Sequence, residues 1–247
     1  MLVILTPVKN RAWILPDFLQ ALRALRVPTD THVLFWDDAS TDGSRALLHA
    51  FAATTPRVTV LENDVPYDGN TSSRDVRNRP KLYARLATVR NMLLDHALAL
   101  GADAILSVDS DILVAPSLLD ALAAHETSYC SALICNDHTV TPEELQRPEW
   151  TCATNLMTGG PKHFTHVRPV PLGTVVRATL SGAVMLLRGD ALQARFAAHH
   201  LGEDAGHAKS LAALDVPVYC HTTPVAVHCF RPVDLSLARR SHAALCG

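Results

Sequence analysis

Apolar runs and helical periodicities alternate along the first half of the chain. Leu2–Leu5 is a short β-rich run, and Ile14, Phe18, Leu22 and Leu25 then recur at the spacing of one helix face. Pro16 falls in the first turn of that helix, where the N–H it lacks has no intrahelical partner. His32–Trp36 predicts a second strand closed by Asp37-Asp38, and Thr41-Asp42-Gly43-Ser44 predicts the capped start of a helix reaching Phe51. Val58–Leu61 predicts a third strand, and the polar stretch Asn63 to Pro80 a functional loop. Leu82, Leu86, Val89, Leu93 and Leu94 mark one face of a long helix ending at Gly101. Ala104–Val108 has the unbroken apolar character of a strand buried on both faces; a helix over Pro116–Ala124 and a strand over Ser128–Ile134 follow.

The second half is less regular. Asn136–Gly173 holds Pro142, Pro148, Pro161, Pro169, Pro171 and Gly159-Gly160, which predicts loop or short strands. Beyond it Thr179–Leu187 predicts a strand, Asp190–Ala198 a helix and Val225–Cys229 a late strand. No linker or repeat divides the chain, so the expectation is a single domain over 1–247, with working halves 1–135 and 136–247. The βαβα order predicts an α/β, Rossmann-like, doubly wound and mostly parallel sheet with helices on both faces. Right-handed crossovers place the working loops at the carboxyl ends of its strands. Those tips are Thr6–Asn10, Asp37-Asp38 and Asp109–Asp111, each polar directly after an apolar strand.

Composition narrows the function classes. A net charge of −2 provides no polycationic field, which argues against nucleic acid as the main partner. No apolar run is long enough to span a bilayer, and Leu2–Leu5 lacks the basic flank of a signal peptide. A strand starting at the second residue leaves no stem or anchor, so the cytoplasm is the expected location. Six cysteines without a CxxC pair read as free thiols, mostly buried in strands.

The candidate chemistry begins with Asp109-Ser110-Asp111. A D-x-D turn at a strand end can aim two carboxylates at one divalent cation, whose shell diphosphate oxygens and water complete. Asp37 and Asp38 can accept hydrogen bonds from a base N–H or a ribose hydroxyl, with Thr41 or Asp42 left to cap the helix. Arg85 and Arg90 carry the planar fork that suits a diphosphate, or else form a solvated helix face. Gly202-Glu203-Asp204 reads either as a proton-accepting carboxylate with its neighbour or as an acidic helix start. His200, Asp204 and His207 have zinc-like spacing, but Gly202 and Gly206 interrupt the helix that zinc would need. Trp150 and His163 are placed to shape an acceptor pocket, since aromatics suit sugar faces.

Taken in order, Leu5-Thr6-Pro7-Val8-Lys9-Asn10, Trp36-Asp37-Asp38-Ala39-Ser40-Thr41-Asp42-Gly43-Ser44 and Val108-Asp109-Ser110-Asp111 resemble the successive signatures of GT-A fold glycosyltransferases, especially the family 2 type. Arg90-Asn91 on the helix before the DxD strand is similar to the Arg-Asn of that family and of Anp1-like mannosyltransferases. The resemblance implies a non-processive enzyme moving one sugar from a UDP-, GDP- or dTDP-sugar donor to a hydroxyl or amine of a small-molecule or glycan acceptor. It implies that Thr6, Pro7 and Asn10 border the nucleotide, that Asp37 or Asp38 contacts base or ribose, and that Arg85 and Arg90 lie beside the diphosphate. Asp109, Ser110 and Asp111 would serve ribose and a Mn²⁺ or Mg²⁺ ion, with Asp111 the principal ligand and His228 a third. Asp204, with Glu203 beside it, would be the general base of an inverting reaction. There is no Q/R-x-x-R-W segment after Asp204, which argues against a processive polysaccharide synthase. Two other readings share parts of this pattern. A sugar-nucleotide pyrophosphorylase should open with a glycine-rich loop, yet Thr6–Arg11 has no glycine. A non-catalytic nucleotide or carbohydrate-binding module would bind donor without turnover.

Overall fold

Side chains alternate across the first strand: Leu2 and Ile4 bury on one side of the sheet, Val3 and Leu5 on the other. A sheet buried on both faces needs helices on both, and the computed structural model, which describes residues 1–65, 79–160 and 163–247, has them. Most of the polar stretch from Asn63 to Pro80, and Pro161, lie outside the described residues. Six strands and four helices come first: β1 (Leu2–Val8), α1 (Leu15–Ala24), β2 (His32–Asp38), α2 (Ser44–Thr54), β3 (Val58–Asn63), α3 (Arg79–Ala99), β4 (Ala104–Val108), β5 (Ile112–Val114), α4 (Leu118–Ala123) and β6 (Tyr129–Ala132). The second half adds β7 (Glu149–Trp150), β8 (Met157–Gly160), β9 (His163–His166), β10 (Val170–Pro171), β11 (Val175–Ala178), β12 (Val184–Arg188), α5 (Glu203–Ala213), β13 (Val218–His221), β14 (Ala226–His228) and α6 (Leu235–Cys246).

The central sheet runs β11-β13-β6-β12-β4-β1-β2-β3. Neighbours β1 to β4, β1 to β2, β2 to β3 and β6 to β13 are parallel, while β12 lies antiparallel between β4 and β6 and β11 antiparallel to β13. Helices α1, α2, α4 and α6 pack with Leu2 and Ile4, whereas α3 and α5 pack with Val3 and Leu5. This is the expected α/β architecture. Among the described residues no helix is long and apolar enough to cross a membrane.

Two registers bring distant residues to the sheet's carboxyl edge. The antiparallel pairing of β12 with β4 puts Val184 opposite Val108, and the Asp109 N–H donates to the Ala183 carbonyl at 3.1 Å. The small β5–β14 ladder puts His228 opposite Ile112, and the Cys229 N–H donates to the Asp111 carbonyl at 2.9 Å. Asp109, Asp111, Gly182 and His228 therefore meet although they span more than a hundred positions of sequence.

Two predicted elements are corrected. The strand expected over Thr179–Leu187 begins only at Val184, as β12. Asp190–Ala198 is not a helix: a short 3-10 turn, Gly189–Gln193, gives way to extended chain. The Asn91 carboxamide holds that chain open, accepting from the Phe196 N–H at 2.9 Å and donating to the Phe196 carbonyl at 2.9 Å. A tertiary clamp thus overrides local helix propensity.

Candidate active site

The carboxyl ends of β1, β2 and β4 and one face of α3 enclose a cavity of about 270 Å³. Its lining includes Pro7, Lys9, Arg11, Asp38, Arg85, Arg90, Asp109, Ser110, Asp111 and Glu203. This is where right-handed βα crossovers leave room for a ligand.

Arg90 is the hub. Its side chain is only 5 % exposed; Nη2 donates to Asp109 Oδ1 at 2.6 Å, Nε to Glu203 Oε1 at 3.1 Å and Nη1 to Ser107 Oγ at 3.3 Å. It therefore ties the DxD turn, β4 and the first turn of α5 together. Burial opposes its charge, but Asp109, Glu203 and Asp204 outweigh that and keep it protonated. Asn91, the next residue, points away from the cavity to clamp Phe196.

Asp109 and Asp111 differ in surroundings. Burial raises the Asp109 pKa, helped by Asp111 and Glu203 and resisted by Arg90. Burial also pushes Asp111 upward, but His228 and Arg11 more than reverse it and hold that carboxyl well below the usual range. Arg11 Nη2 lies 3.0 Å from Asp111 Oδ2, while His228 Nε2 stands 3.7 Å from Asp111 Oδ1. His228 itself is disfavoured as a cation by burial, but Asp111 and Asp109 raise its pKa above the ordinary value.

These separations bear on a metal. Asp111 Oδ1 and His228 Nε2 stand 3.7 Å apart, wider than the spacing of about 3.0 Å between adjacent ligands of an octahedral ion with bonds of about 2.1 Å. A small approach of the two side chains would let both reach one cation, and the carboxylate suits Mg²⁺ or Mn²⁺. Asp109 is turned toward Arg90 instead, and no group of three His, Cys, Asp or Glu side chains among the described residues is placed to hold a metal alone. The residues fit a cation whose remaining ligands come from elsewhere. The fit has a further reason in charge. Among the described residues four cations (Lys9, Arg11, Arg85, Arg90) line the cavity against four carboxylates (Asp38, Asp109, Asp111, Glu203). A diphosphate entering this cavity would meet no net positive lining, and a divalent ion would supply the missing charge.

Of the two acids ending β2, Asp38 reaches the cavity and Asp37 does not. Asp38 accepts from Arg85 Nε at 2.9 and 3.2 Å, and Lys9 Nζ donates to its carbonyl at 2.8 Å. Burial alone would raise the Asp38 pKa; hydrogen bonds from Arg85 and Asn63, with the Lys9 charge, hold it below the ordinary value. Asp37 is fully buried and binds Arg45 Nε at 2.7 Å on the far side. Pro7 borders the cavity; Thr6 is buried in β1, outside the lining. Asn10 is also outside: at φ 51° its carboxamide oxygen accepts from the Thr41 N–H at 2.7 Å, stapling the β1 tip to the loop after β2. Asp42 acts on the helix start, its carboxylate accepting from the Ser44 N–H at 2.9 Å and the Ala12 N–H at 3.0 Å.

At the inner end Glu203 and Asp204 open α5. Glu203 faces Arg90, whereas Asp204 turns the other way, into the space that Gly182 leaves. A Cβ on Gly182 would stand 2.0 Å from Asp204 Oδ2. Asp204 Oδ1 is buried without a hydrogen-bond partner, and burial with the neighbouring Glu203 charge pushes the carboxyl up to about 7. His207 is neutral core material, stacked on Phe196 at 4.0 Å and pushed down to about 3 by burial, which removes it from any zinc set. Trp150 is largely buried, its indole N–H donating to the Glu144 carbonyl at 2.9 Å, and it lines a separate cavity rather than this one; His163 is exposed on β9.

Sequence reasoning did not single out Arg11 or Lys9 as site residues. Arg11 follows the Thr6–Asn10 tip directly and Lys9 lies within it; only three-dimensional placement shows what they touch.

Residues 3–151 match the family model described as glycosyl transferase family 2. No curated protein sequence matches the chain. Among solved structures it is similar to S. aureus TarS residues 1–349, with 14 % identity and a TM-score of 0.56 over 99 % of this chain and 64 % of that one. It is also similar to the mannosyltransferase PcManGT from Pyrobaculum calidifontis in complex with GDP-Man and Mn²⁺ (18 % identity, TM-score 0.53, 90 % and 57 % covered). A third likeness is to glucosyl-3-phosphoglycerate synthase from Mycobacterium tuberculosis in complex with Mn²⁺, UDP and glucosyl-3-phosphoglycerate (15 %, TM-score 0.52, 99 % and 78 %). The chain spans less than two thirds of the first two, and at these identities the likeness is one of fold.

Proposed function

The chain belongs to glycosyl transferase family 2, and from that premise we propose that it moves a single sugar, non-processively and with inversion, from a nucleotide-diphosphate-sugar donor to an acceptor hydroxyl or amine. The carrying observation is that Asp109-Ser110-Asp111, Arg90 and Glu203 line one cavity, with Asp204 turned toward Gly182 behind it. The solved mannosyltransferase and synthase with similar folds hold GDP-Man or UDP together with Mn²⁺, which supports a UDP- or GDP-sugar here, with a dTDP-sugar the remaining candidate.

In this reading Pro7 and Asp38 border the base and ribose, with Arg85 fixing the Asp38 carboxylate. Lys9, Arg11 and Arg90 face the diphosphate. Asp111 and His228 would hold a Mn²⁺ or Mg²⁺ ion, which when bound would supply positive charge against the leaving nucleoside diphosphate. Asp204 accepts the acceptor's proton as its oxygen or nitrogen attacks the anomeric carbon. A carboxyl near 7 is matched to that task at neutral pH. Glu203, next to Asp204, lines the cavity and positions Arg90. Residues 136–247 form the acceptor side, and the cytoplasm is the place of action.

The test is release of nucleoside diphosphate from a panel of UDP-, GDP- and dTDP-sugars with candidate acceptors. Turnover should need Mn²⁺ or Mg²⁺ and stop on chelation. Asp204→Asn should lower turnover while donor affinity stays. Donor that binds without turnover against every acceptor would favour a binding module instead.

A further inference from the structure

Strands β6 and β12 pair antiparallel from Tyr129 opposite Leu187 to Ser131 opposite Met185, and the ladder stops there. Beyond that rung the side chain of Asn155, only 5 % exposed, bridges the two segments. Its Nδ2 donates to the Ala132 carbonyl at 2.8 Å and to the Gly182 carbonyl at 2.8 Å, while its Oδ1 accepts from the Ile134 N–H at 2.8 Å. Its own backbone N–H donates to the Ile134 carbonyl at 3.0 Å. A carboxamide offers the donors and the acceptor of a peptide group, so Asn155 stands in for the missing rung and fixes the spacing of the two segments.

What it fixes is a strained turn. Ala183 has φ 71°, a conformation that residues with a Cβ disfavour, and the Val184 N–H donates back to the Gly182 carbonyl at 2.9 Å, which closes a tight three-residue turn. Such a conformation persists only where its surroundings over-determine it, and here each residue of the turn is held. The Tyr129 hydroxyl donates to the Ser181 carbonyl and Ser131 Oγ to Ser181 Oγ at 2.6 Å. Asn155 holds the Gly182 carbonyl, and the Asp109 N–H holds that of Ala183 at 3.1 Å. The same turn therefore touches the DxD segment through Ala183 and Asp204 through Gly182, where a Cβ would stand 2.0 Å from Asp204 Oδ2.

We propose that Asn155, assisted by Tyr129, is a positioning residue: by holding the Ser181-Gly182-Ala183 turn it sets where the Asp204 carboxylate lies relative to Asp109. Neither side chain lines the cavity, so both act through the turn and not on the substrate. The proposal rests on the reading of Asp204 as the proton acceptor. Without the carboxamide the Gly182 carbonyl keeps only the Val184 N–H, the turn relaxes from its left-handed conformation, and Asp204 loses the surface against which it is seated. Pro7, Lys9 and Asp38, assigned to the donor, lie outside the turn and its partners. A displacement of about 1 Å in a reacting group costs up to about a hundredfold in rate, so the effect falls on turnover and spares donor binding.

Asn155→Ala and Tyr129→Phe would be compared with the parent and with Asp204→Asn in nucleoside diphosphate release, in donor affinity by calorimetry and in amide hydrogen exchange by NMR. Asn155→Ala should turn over about 10–100-fold more slowly, with donor affinity within about twofold of the parent. The Val184 and Asp109 amides, which donate into the turn, should exchange at least about tenfold faster relative to those of the β12–β4 ladder, a local change that general destabilisation would not produce. Tyr129→Phe keeps the ring in the core and removes one donor, so it carries the test should Asn155→Ala not fold; it should show the same split, with turnover down about threefold. Parent-rate turnover in either variant, or Val184 and Asp109 amides no faster than the ladder, would overturn the proposal. Asp204→Asn at the parent rate would overturn the reading of Asp204 and the proposal with it, whereas a slow Asp204→Asn beside a parent-rate Asn155→Ala would overturn the proposal alone.

Discussion

Replacing Arg90 with glutamine leaves two carboxylates without the cation that lies between them. Asp109 Oδ1 and Glu203 Oε1 sit 2.6 and 3.1 Å from the guanidinium, whose side chain is 5 % exposed. Removing one member of a buried ion pair costs about 3–5 kcal/mol, because the partner's charge stays behind. The Asp109 side chain is 26 % exposed, so water screens part of its share and the lower end, about 3 kcal/mol, is expected. Lost packing of the guanidinium over Phe196, 5.4 Å from its ring centroid, acts in the same direction. Against a typical total of about 5–15 kcal/mol this is a large fraction, and urea unfolding at pH 7 reads it directly. Adding Glu203→Gln removes one stranded charge and should recover about 1–3 kcal/mol relative to Arg90→Gln alone. A single mutant within about 0.5 kcal/mol of the parent, or a double mutant less stable than the single, would refute the account of Arg90 as the hub.

Asp204 gives a pH test with two opposite signs. Its folded carboxyl near 7 lies above the ordinary 3.8, so its contribution to stability is complete below about 4 and is lost as pH rises toward 7. Turnover should move the other way, falling as pH drops below 7; Asp204→Asn should flatten the stability trend, and an activity profile level from pH 5 to 8 would remove Asp204 as the base. Gly182→Ala puts a Cβ 2.0 Å from the Asp204 carboxylate, so turnover should fall at least tenfold with little change in donor affinity; unchanged turnover would show that Asp204's placement does not matter. Gly206→Ala would ordinarily stabilise a helix, but here the Cβ lies 1.9 Å from the Ala197 carbonyl, so a loss of about 1–3 kcal/mol in thermal unfolding is expected, against a gain if helix propensity ruled.

The first half of the chain was readable because strands β1, β2 and β4 each lead at once into the polar residues that reach the cavity edge. Apolar Ala104–Val108 announces β4 and Asp109-Ser110-Asp111 comes next, so pattern and chemistry reinforce each other locally. Which residue of each pair does the work was not readable. Asp37 and Asp38 differ only in the strand face they occupy, and Arg90 and Asn91 only in helix phase. The second half was harder for a physical reason: its elements are short and paired at long range. β13 is four residues long and is defined by β6 and β11, and β12 enters antiparallel. Helix α6 escaped notice because its inward face is built on Ala238 and Ser241, the latter donating to the Val140 carbonyl at 2.6 Å, rather than on large apolar residues. Asp190–Ala198 went wrong because Asn91, a hundred residues earlier, decides its shape.

Calorimetric titration of the parent chain and Asp111→Asn with UDP, GDP and dTDP, with and without Mn²⁺, tests most directly whether this cavity holds a metal–nucleotide pair. The parent should bind one of the three diphosphates at least tenfold more tightly with Mn²⁺, and Asp111→Asn should lose that gain while keeping its metal-free affinity. Equal affinity with and without metal in the parent, or an undiminished gain in the variant, would contradict the assignment of Asp111 and His228 and the charge argument on which it stands.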